Sequence, residues 1–234
     1  MMLRIRLPLL LVAPLLVAAC ALMPENHERV RVERIEQAVL PMAGAALAAG
    51  QFETARRLYG RLLELDAESA EARMGLGEVA LASGAAAQAA NWYLGALERS
   101  GTPAARQAAL LGHGRAALAN ADLPAARSSF TRLTEPAEGA SQANLAWGHN
   151  GLGIVHLLSG EPAQAVAAME KAVLIDPAEP RFQANLERAL KIAAAYPAPG
   201  SAPAPASDVL PPTQIPAIAT VESPTEAGGA ENAR

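Results

Sequence analysis

LAAGQFETARRLYGRLLELDA (residues 47–67) is echoed 34 residues later by LASGAAAQAANWYLGALERSG (81–101). Gly50 and Gly84, Ala55 and Ala89, and Tyr59 and Tyr93 coincide at that offset. A third copy reads GHGRAALANADLPAARSSFTRL (112–133), with Ala126 and Phe130 in register. A fourth reads GLGIVHLLSGEPAQAVAAMEKAVLIDP (151–177), with Ala165 and Met169. The matching alanines are spaced 34, 37 and 39 apart, and the extra residues are placed in the turn-rich stretches Gly101–Arg106 and Pro136–Asn144. Self-similarity at such a period marks stacked units, each unable to bury its apolar face alone. The small-residue bias makes those units helical, because Ala is the best helix former. Aromatics at 3% exclude a β-sandwich or barrel, which draws on aromatic and β-branched residues.

A period of 34 with these residues resembles the tetratricopeptide repeat. That pattern has Leu-Gly at positions seven and eight, Ala at twenty, an aromatic at twenty-four, Ala at twenty-seven and Pro at thirty-two. The second copy (70–103) supplies Leu76, Gly77, Ala89, Tyr93 and Ala96; the fourth (146–179) supplies Leu152, Gly153, Ala165, Met169, Ala172 and Pro177. The third (107–140) has Gly114, Ala126 and Phe130, but His113 for Leu. The first (36–69) is degenerate, with Ala43 for Gly and Pro41 placed to kink or delay its first helix. Small residues at eight and twenty let two antiparallel helices approach closely, and the large residue at twenty-four fills the gap toward the next hairpin. PRFQANLERALKIAAAY (180–196) carries Phe182, Leu186, Ala189, Leu190 and Ile192 at helical spacing and reads as a capping helix. The fold expected for 36–196 is therefore an all-α solenoid of about four helical hairpins plus a cap.

The flanks differ in composition. Arg4 and Arg6 precede an uncharged run from Leu7 to Ala19, the layout of a secretory signal over residues 1–19. Val17-Ala18-Ala19-Cys20 resembles a bacterial lipobox, and Cys20 is the chain's single cysteine. That resemblance implies a lipidated Cys20 and a membrane anchor, each buried CH₂ contributing about 0.8 kcal/mol. Ordinary cleavage after Ala19-Cys20-Ala21 is the alternative. In similar lipoproteins Asp after the cysteine favours inner-membrane retention, so Ala21 points to the outer membrane, facing the periplasm. Residues 20–35 then form the lipidated cysteine and a charged tether. The Pro/Ala-rich tail, 197–234, has no aromatic and is predicted to be disordered. Its small apolar patches, at 209–212 and 215–218, read as linker.

No catalytic constellation emerges. A net charge of −4 implies no nucleic-acid partner, and one cysteine excludes a disulfide framework within the chain or a Cys-based zinc site. Gly75-Leu76-Gly77 and Gly112-His113-Gly114 fit the start of a dinucleotide fingerprint, but they recur in phase with the repeat inside helices, where no strand precedes them. His149 and His156 lack a metal-spaced carboxylate and read as packing or groove residues. No cofactor and no enzyme is implied. By resemblance, positions two, five, nine and twelve of each first helix line a groove, which places Met74, Glu78, Leu111, Arg115, Trp147, Asn150, Ile154 and Arg188 there. Such an apolar groove flanked by charge suits an extended peptide or a helix. Trp147 reads equally as its anchor or as a core residue.

Leu145-Ala146-Trp147, Asn150-Gly151-Leu152-Gly153, Gly160, Ala165, Asp176-Pro177 and Asn185-Leu186 together resemble the C-terminal half of tetratricopeptide lipoproteins of Tad (Flp-type) pilus systems. This implies a membrane-anchored scaffold that helps assemble or position the pilus secretin. An adaptor for outer-membrane protein insertion or for peptidoglycan enzymes shares the same physics and is the alternative.

Overall fold

The computed structural model describes residues 23–135 and 141–196. The export signal, Cys20 and the tail lie outside the described residues, as does part of the insertion expected at Pro136–Asn144. Nine helices and no strand make up the described residues: α1 Met23–Ala48, α2 Phe52–Leu65, α3 Ala70–Ala82, α4 Ala86–Arg99, α5 Pro103–Ala119, α6 Leu123–Leu133, α7 Gln142–Leu158, α8 Pro162–Ile175 and α9 Pro180–Ala195. This is the helical-hairpin architecture that the repeat requires. The chain divides into two compact units, Met1–Ala67 and Glu68–Arg234.

In the first unit α1 packs on α2. Helix α1 differs from expectation twice. It covers residues 24–35, expected as a tether, and it runs through Pro41. Proline removes one helical hydrogen bond, to the carbonyl four residues earlier. Here Pro41 and Gln37 are both exposed, so water can serve that carbonyl.

In the second unit each first helix packs on its second: α3 on α4, α5 on α6 and α7 on α8. Each second helix also packs on the next first helix. The first helices touch one another in turn, α3 to α5, α5 to α7 and α7 to α9, forming one layer. Their starts are capped by Ser69, Thr102 and Ser141, whose hydroxyls accept the backbone N–H three residues on. Those caps leave the repeat register in place and move two helix starts. Helices α5 and α7 begin four residues before the expected 107 and 146, and have 17 residues against 13 in α3. Much of the extra spacing is thus an added helical turn, not a longer loop. Gln107 Oε1 holds the added turn of α7 by accepting from Ser141 N (3.2 Å) and Asn144 Nδ2 (2.8 Å).

Glycine sockets set the spacing of the stack. A β-carbon on Gly77 of α3 would lie 2.8 Å from the Tyr93 ring of α4, and one on Gly112 of α5 would overlap the same ring. Phe130 of α6 is held in the same way by Gly114 of α5 and Gly151 of α7, each 2.6 Å from its ring by the same measure. Gly153 of α7 receives Met169 of α8 at 2.5 Å. Residues two apart on a helix point about 200° apart. The Gly-x-Gly pairs of α5 and α7 therefore face forward and backward, one to their own hairpin and one to the preceding hairpin. These glycines are packing devices.

The turn between paired helices repeats as well. Gly50, Gly84 and Gly160 adopt positive φ of 71°, 77° and 74°. The third hairpin places Ala121 there, at φ 57°. Its neighbours close the turn as at Gly84: Asp122 N donates to Ala117 O at 2.8 Å, and Ala85 N to Ala80 O at 2.8 Å. A left-handed conformation costs a β-carbon residue about 1–2 kcal/mol.

His113 occupies the position where two other copies have Leu76 and Leu152. Its Nδ1 lies 2.6 Å from Ser129 Oγ, and both side chains are buried. Burial holds the His113 imidazole below its ordinary value of 6.5; Asp122 opposes this and Arg132 reinforces it. Burial, and then Lys171, lowers His149 as well.

Three outcomes are expected. Gly112→Ala lowers stability by about 1–3 kcal/mol by overpacking against Tyr93, whereas Gly60→Ala, with nothing within 4 Å of its β-carbon, raises it by up to about 1 kcal/mol. Chemical denaturation separates the two. Ala121→Gly raises the denaturation midpoint, in line with about 1 kcal/mol of relieved strain. Finally, both histidines bind protons more weakly folded than unfolded. Their contribution is complete above about pH 6.5 and is lost as pH falls below it. The melting temperature should drop between about pH 7 and pH 5, and His113→Leu should shrink that drop; a flat profile would contradict the assignment.

Candidate functional site

Polar cross-links run along the layer of first helices. Between α3 and α5, Arg115 Nη1 donates to Glu78 Oε1 at 2.8 Å, with side chains 13% and 32% exposed. Between α5 and α7, Asn144 donates to Gln107. Between α7 and α9, Asn185 Nδ2 donates to Asn150 Oδ1 at 3.0 Å. These side chains lie along the contacts between first helices, the layer expected to bind.

The eight residues expected there divide by depth. Met74, Glu78, Arg115 and Arg188 are half-buried. Leu111, Trp147, Asn150 and Ile154 are core residues, none more than 4% exposed. Trp147, open to two readings in sequence, is covered from α9. Phe182 meets its ring edge-on, with centroids 4.8 Å apart at 71°. The Arg181 guanidinium lies 4.5 Å from the ring centroid, a cation–π contact. Glu179, the N-cap of α9, fixes that guanidinium with two hydrogen bonds, from Nε at 2.7 Å and Nη2 at 2.9 Å. Those bonds from Arg181 hold the Glu179 carboxyl below the usual carboxylate range. The Trp147 ring is therefore closed to a partner, and Arg181 and Arg188 are the half-buried groups at that end.

The Asn150–Asn185 pair has a distinct character. The two side chains belong to residues 1% and 2% exposed, yet Asn150 Nδ2 and Asn185 Oδ1 have no hydrogen-bond partner. A buried polar group without a partner costs about 1–3 kcal/mol. A periodic reading had a signal for the pair, since Asn185 follows Gly151 by 34 and so falls where the preceding first helices have Gly112 and Gly151.

A second cluster ties adjacent hairpins. Arg127 of α6 reaches Ser159 Oγ at 3.2 Å and Glu161 Oε2 at 3.3 Å, and His156 Nδ1 lies 2.5 Å from the same carboxylate. The His156 hydrogen bond, followed by Arg127, lowers the Glu161 carboxyl. His156, Ser159 and Glu161 lie at the end of α7 and on the α7–α8 turn, and Arg127 braces α6 against them. The His113–Ser129 contact pairs a base with a hydroxyl, but 7% and 4% exposure closes it to substrate. No cluster of three metal-ligating side chains occurs among the described residues. What the face offers is hydrogen bonding and charge over several helices, the chemistry of binding.

Known proteins agree with this geometry. The sequence profile of the tetratricopeptide repeat family matches residues 40–109 and 111–180, more than half of the chain. No curated protein sequence matches significantly. Among solved structures, pilF of Pseudomonas aeruginosa matches with TM-score 0.61 at 20% identity, over 68% of this chain and 69% of that one. A MamA protein matches with TM-score 0.55 at 20% identity, over 69% and 84%. MamA from Desulfovibrio magneticus RS-1, residue 41 to the end, matches with 0.53 at 16%, over 68% and 90%. At these identities the likeness is one of fold. This chain belongs to the tetratricopeptide repeat family.

Proposed function

We propose that this chain is a lipid-anchored interaction scaffold of the bacterial envelope, facing the periplasm from the outer membrane, that helps assemble a Tad-type pilus or secretion machine. The partner class is a secretin or another pilus-assembly protein, held along the first-helix layer. Tetratricopeptide folds are protein–protein interaction scaffolds, so binding without catalysis is the coarse part of this reading. The observation that carries the finer part is the position of the single cysteine. Cys20 closes Val17-Ala18-Ala19-Cys20 just ahead of the repeats. Its thiol would carry a diacylglycerol and its amine a third acyl chain; two or three chains hold a protein where one anchors only marginally. The run from Leu145 to Leu190 adds the resemblance to Tad lipoproteins, and pilF of Pseudomonas aeruginosa has the same fold.

Two measurements test this. Cys20→Ser should move the protein from the membrane fraction to the soluble fraction; retention at high salt would refute the anchor. A photo-crosslinker at Ala108, exposed on α5, should capture a secretin or pilus-assembly component from living cells, while one at Ser128 on α6 should not. Capture of insertion machinery or wall enzymes would keep the scaffold and remove the pilus assignment.

A further inference from the structure

We propose that the outer face of α9 pairs with the same face of a second copy of this chain, the two helices running antiparallel about a two-fold axis. The proposal rests on the fold alone and needs neither the lipid anchor nor the first-helix layer as a binding face.

Each earlier first helix of the second unit is covered by its own second helix: α3 by α4, α5 by α6 and α7 by α8. Among the described residues no second helix follows α9. The repeat register names the residues that line the uncovered place. Position eight is the socket glycine, Gly77, Gly114 and Gly153, which receives Tyr93, Phe130 and Met169. In α9 that position is Glu187, 34 residues after Gly153, and it is exposed. With a side chain in place of the socket, a further hairpin cannot seat a ring there. Gln183, Leu186, Leu190 and Ala194 surround Glu187 at helical spacing. Leu190 stands in the register of the buried Ala80 and Ala117, yet it is 48% exposed.

Charge selects what covers this stripe. Lys191 flanks it, four residues after Glu187, and both side chains are exposed. Neither has an ion-pair partner among the described residues. A second α9 laid antiparallel, with the axis at the level of Ala189, sets Glu187 of each copy opposite Lys191 of the other. Two ion pairs then form, related by the axis, and Leu186 and Leu190 interleave with their counterparts. A parallel arrangement sets like charges side by side at both positions and is disfavoured. The contact is isologous, one patch complementing itself. Few apolar side chains enter it, so the dimer is weak, with less area than a standard stable interface.

The test is sedimentation equilibrium of the full chain in mild detergent, from about 1 µM to about 500 µM. The natural chain should pass from monomer to dimer. Glu187→Lys should weaken the dimer at least about tenfold by setting lysine against lysine, and Lys191→Glu should do the same with carboxylates. The double variant Glu187→Lys/Lys191→Glu should recover the natural affinity to within about threefold, since the ion pairs re-form with their signs reversed. At low concentration, where every chain is a monomer, the variants should melt with the natural chain, so a lost dimer is not a lost fold. A monomer at every concentration overturns the pairing and leaves the stripe to the chain's own C-terminal segment or to a different protein. A dimer that ignores the single substitutions, or that the double variant does not recover, lies on another face or in a shared micelle and overturns it as well. Neither result touches the anchor or crosslinking measurements, which decide the scaffold reading separately.

Discussion

The second unit depends on one contact repeated along it: a large second-helix side chain seated between backbone surfaces of two successive first helices. Tyr93 lies between Gly77 and Gly112, and Phe130 between Gly114 and Gly151. Each glycine in mid-helix costs about 1 kcal/mol relative to alanine. Burying a large aromatic or aliphatic side chain returns about 1.5–3 kcal/mol, and here one ring also couples two hairpins. The device explains why so small a complement of aromatics suffices. Tyr93 and Phe130 are each shared by three helices.

The same contact governs what the binding face can present. Rings and glycines fill the space between the layers, so the apolar residues of the first helices are drawn inward. Leu111 and Ile154 follow that rule, and Trp147 is sealed further by Phe182 and Arg181. Of the groups that cross from one first helix to the next, the Glu78–Arg115 pair is half-buried, while Gln107, Asn150 and Asn185 are buried. Glu78, Arg115 and Arg188 are half-buried on this face, beside the apolar Met74, Leu81 and Leu118.

Departures from the repeat fall where neighbours compensate. His113 replaces a leucine, and Ser129 supplies the partner its ring needs. Ala121 takes the turn conformation that glycine takes elsewhere, held by the same closing hydrogen bonds. The last junction replaces a socket glycine with Asn185, and there the compensation is incomplete, because two amide atoms stay unpartnered.

The helical-hairpin class, the register of the sockets and the turns within hairpins were determined by the sequence itself. Those properties are local: a period of 34, glycines two apart and a small residue at each turn act within one helix or one hairpin. The tertiary structure alone decided depth and length. Pro103 and the caps Thr102 and Ser141 were present as helix-start signals, yet spacing alone assigned their surroundings to turns; the added turn of α7 is secured by Gln107, from another helix. Trp147 could be an anchor or a core residue until α9 was placed over it. Asn150 looked like a groove residue until Asn185, 35 positions on, was found against it. Burial is decided by what the neighbouring helix brings, and periodicity within one helix carries no record of that.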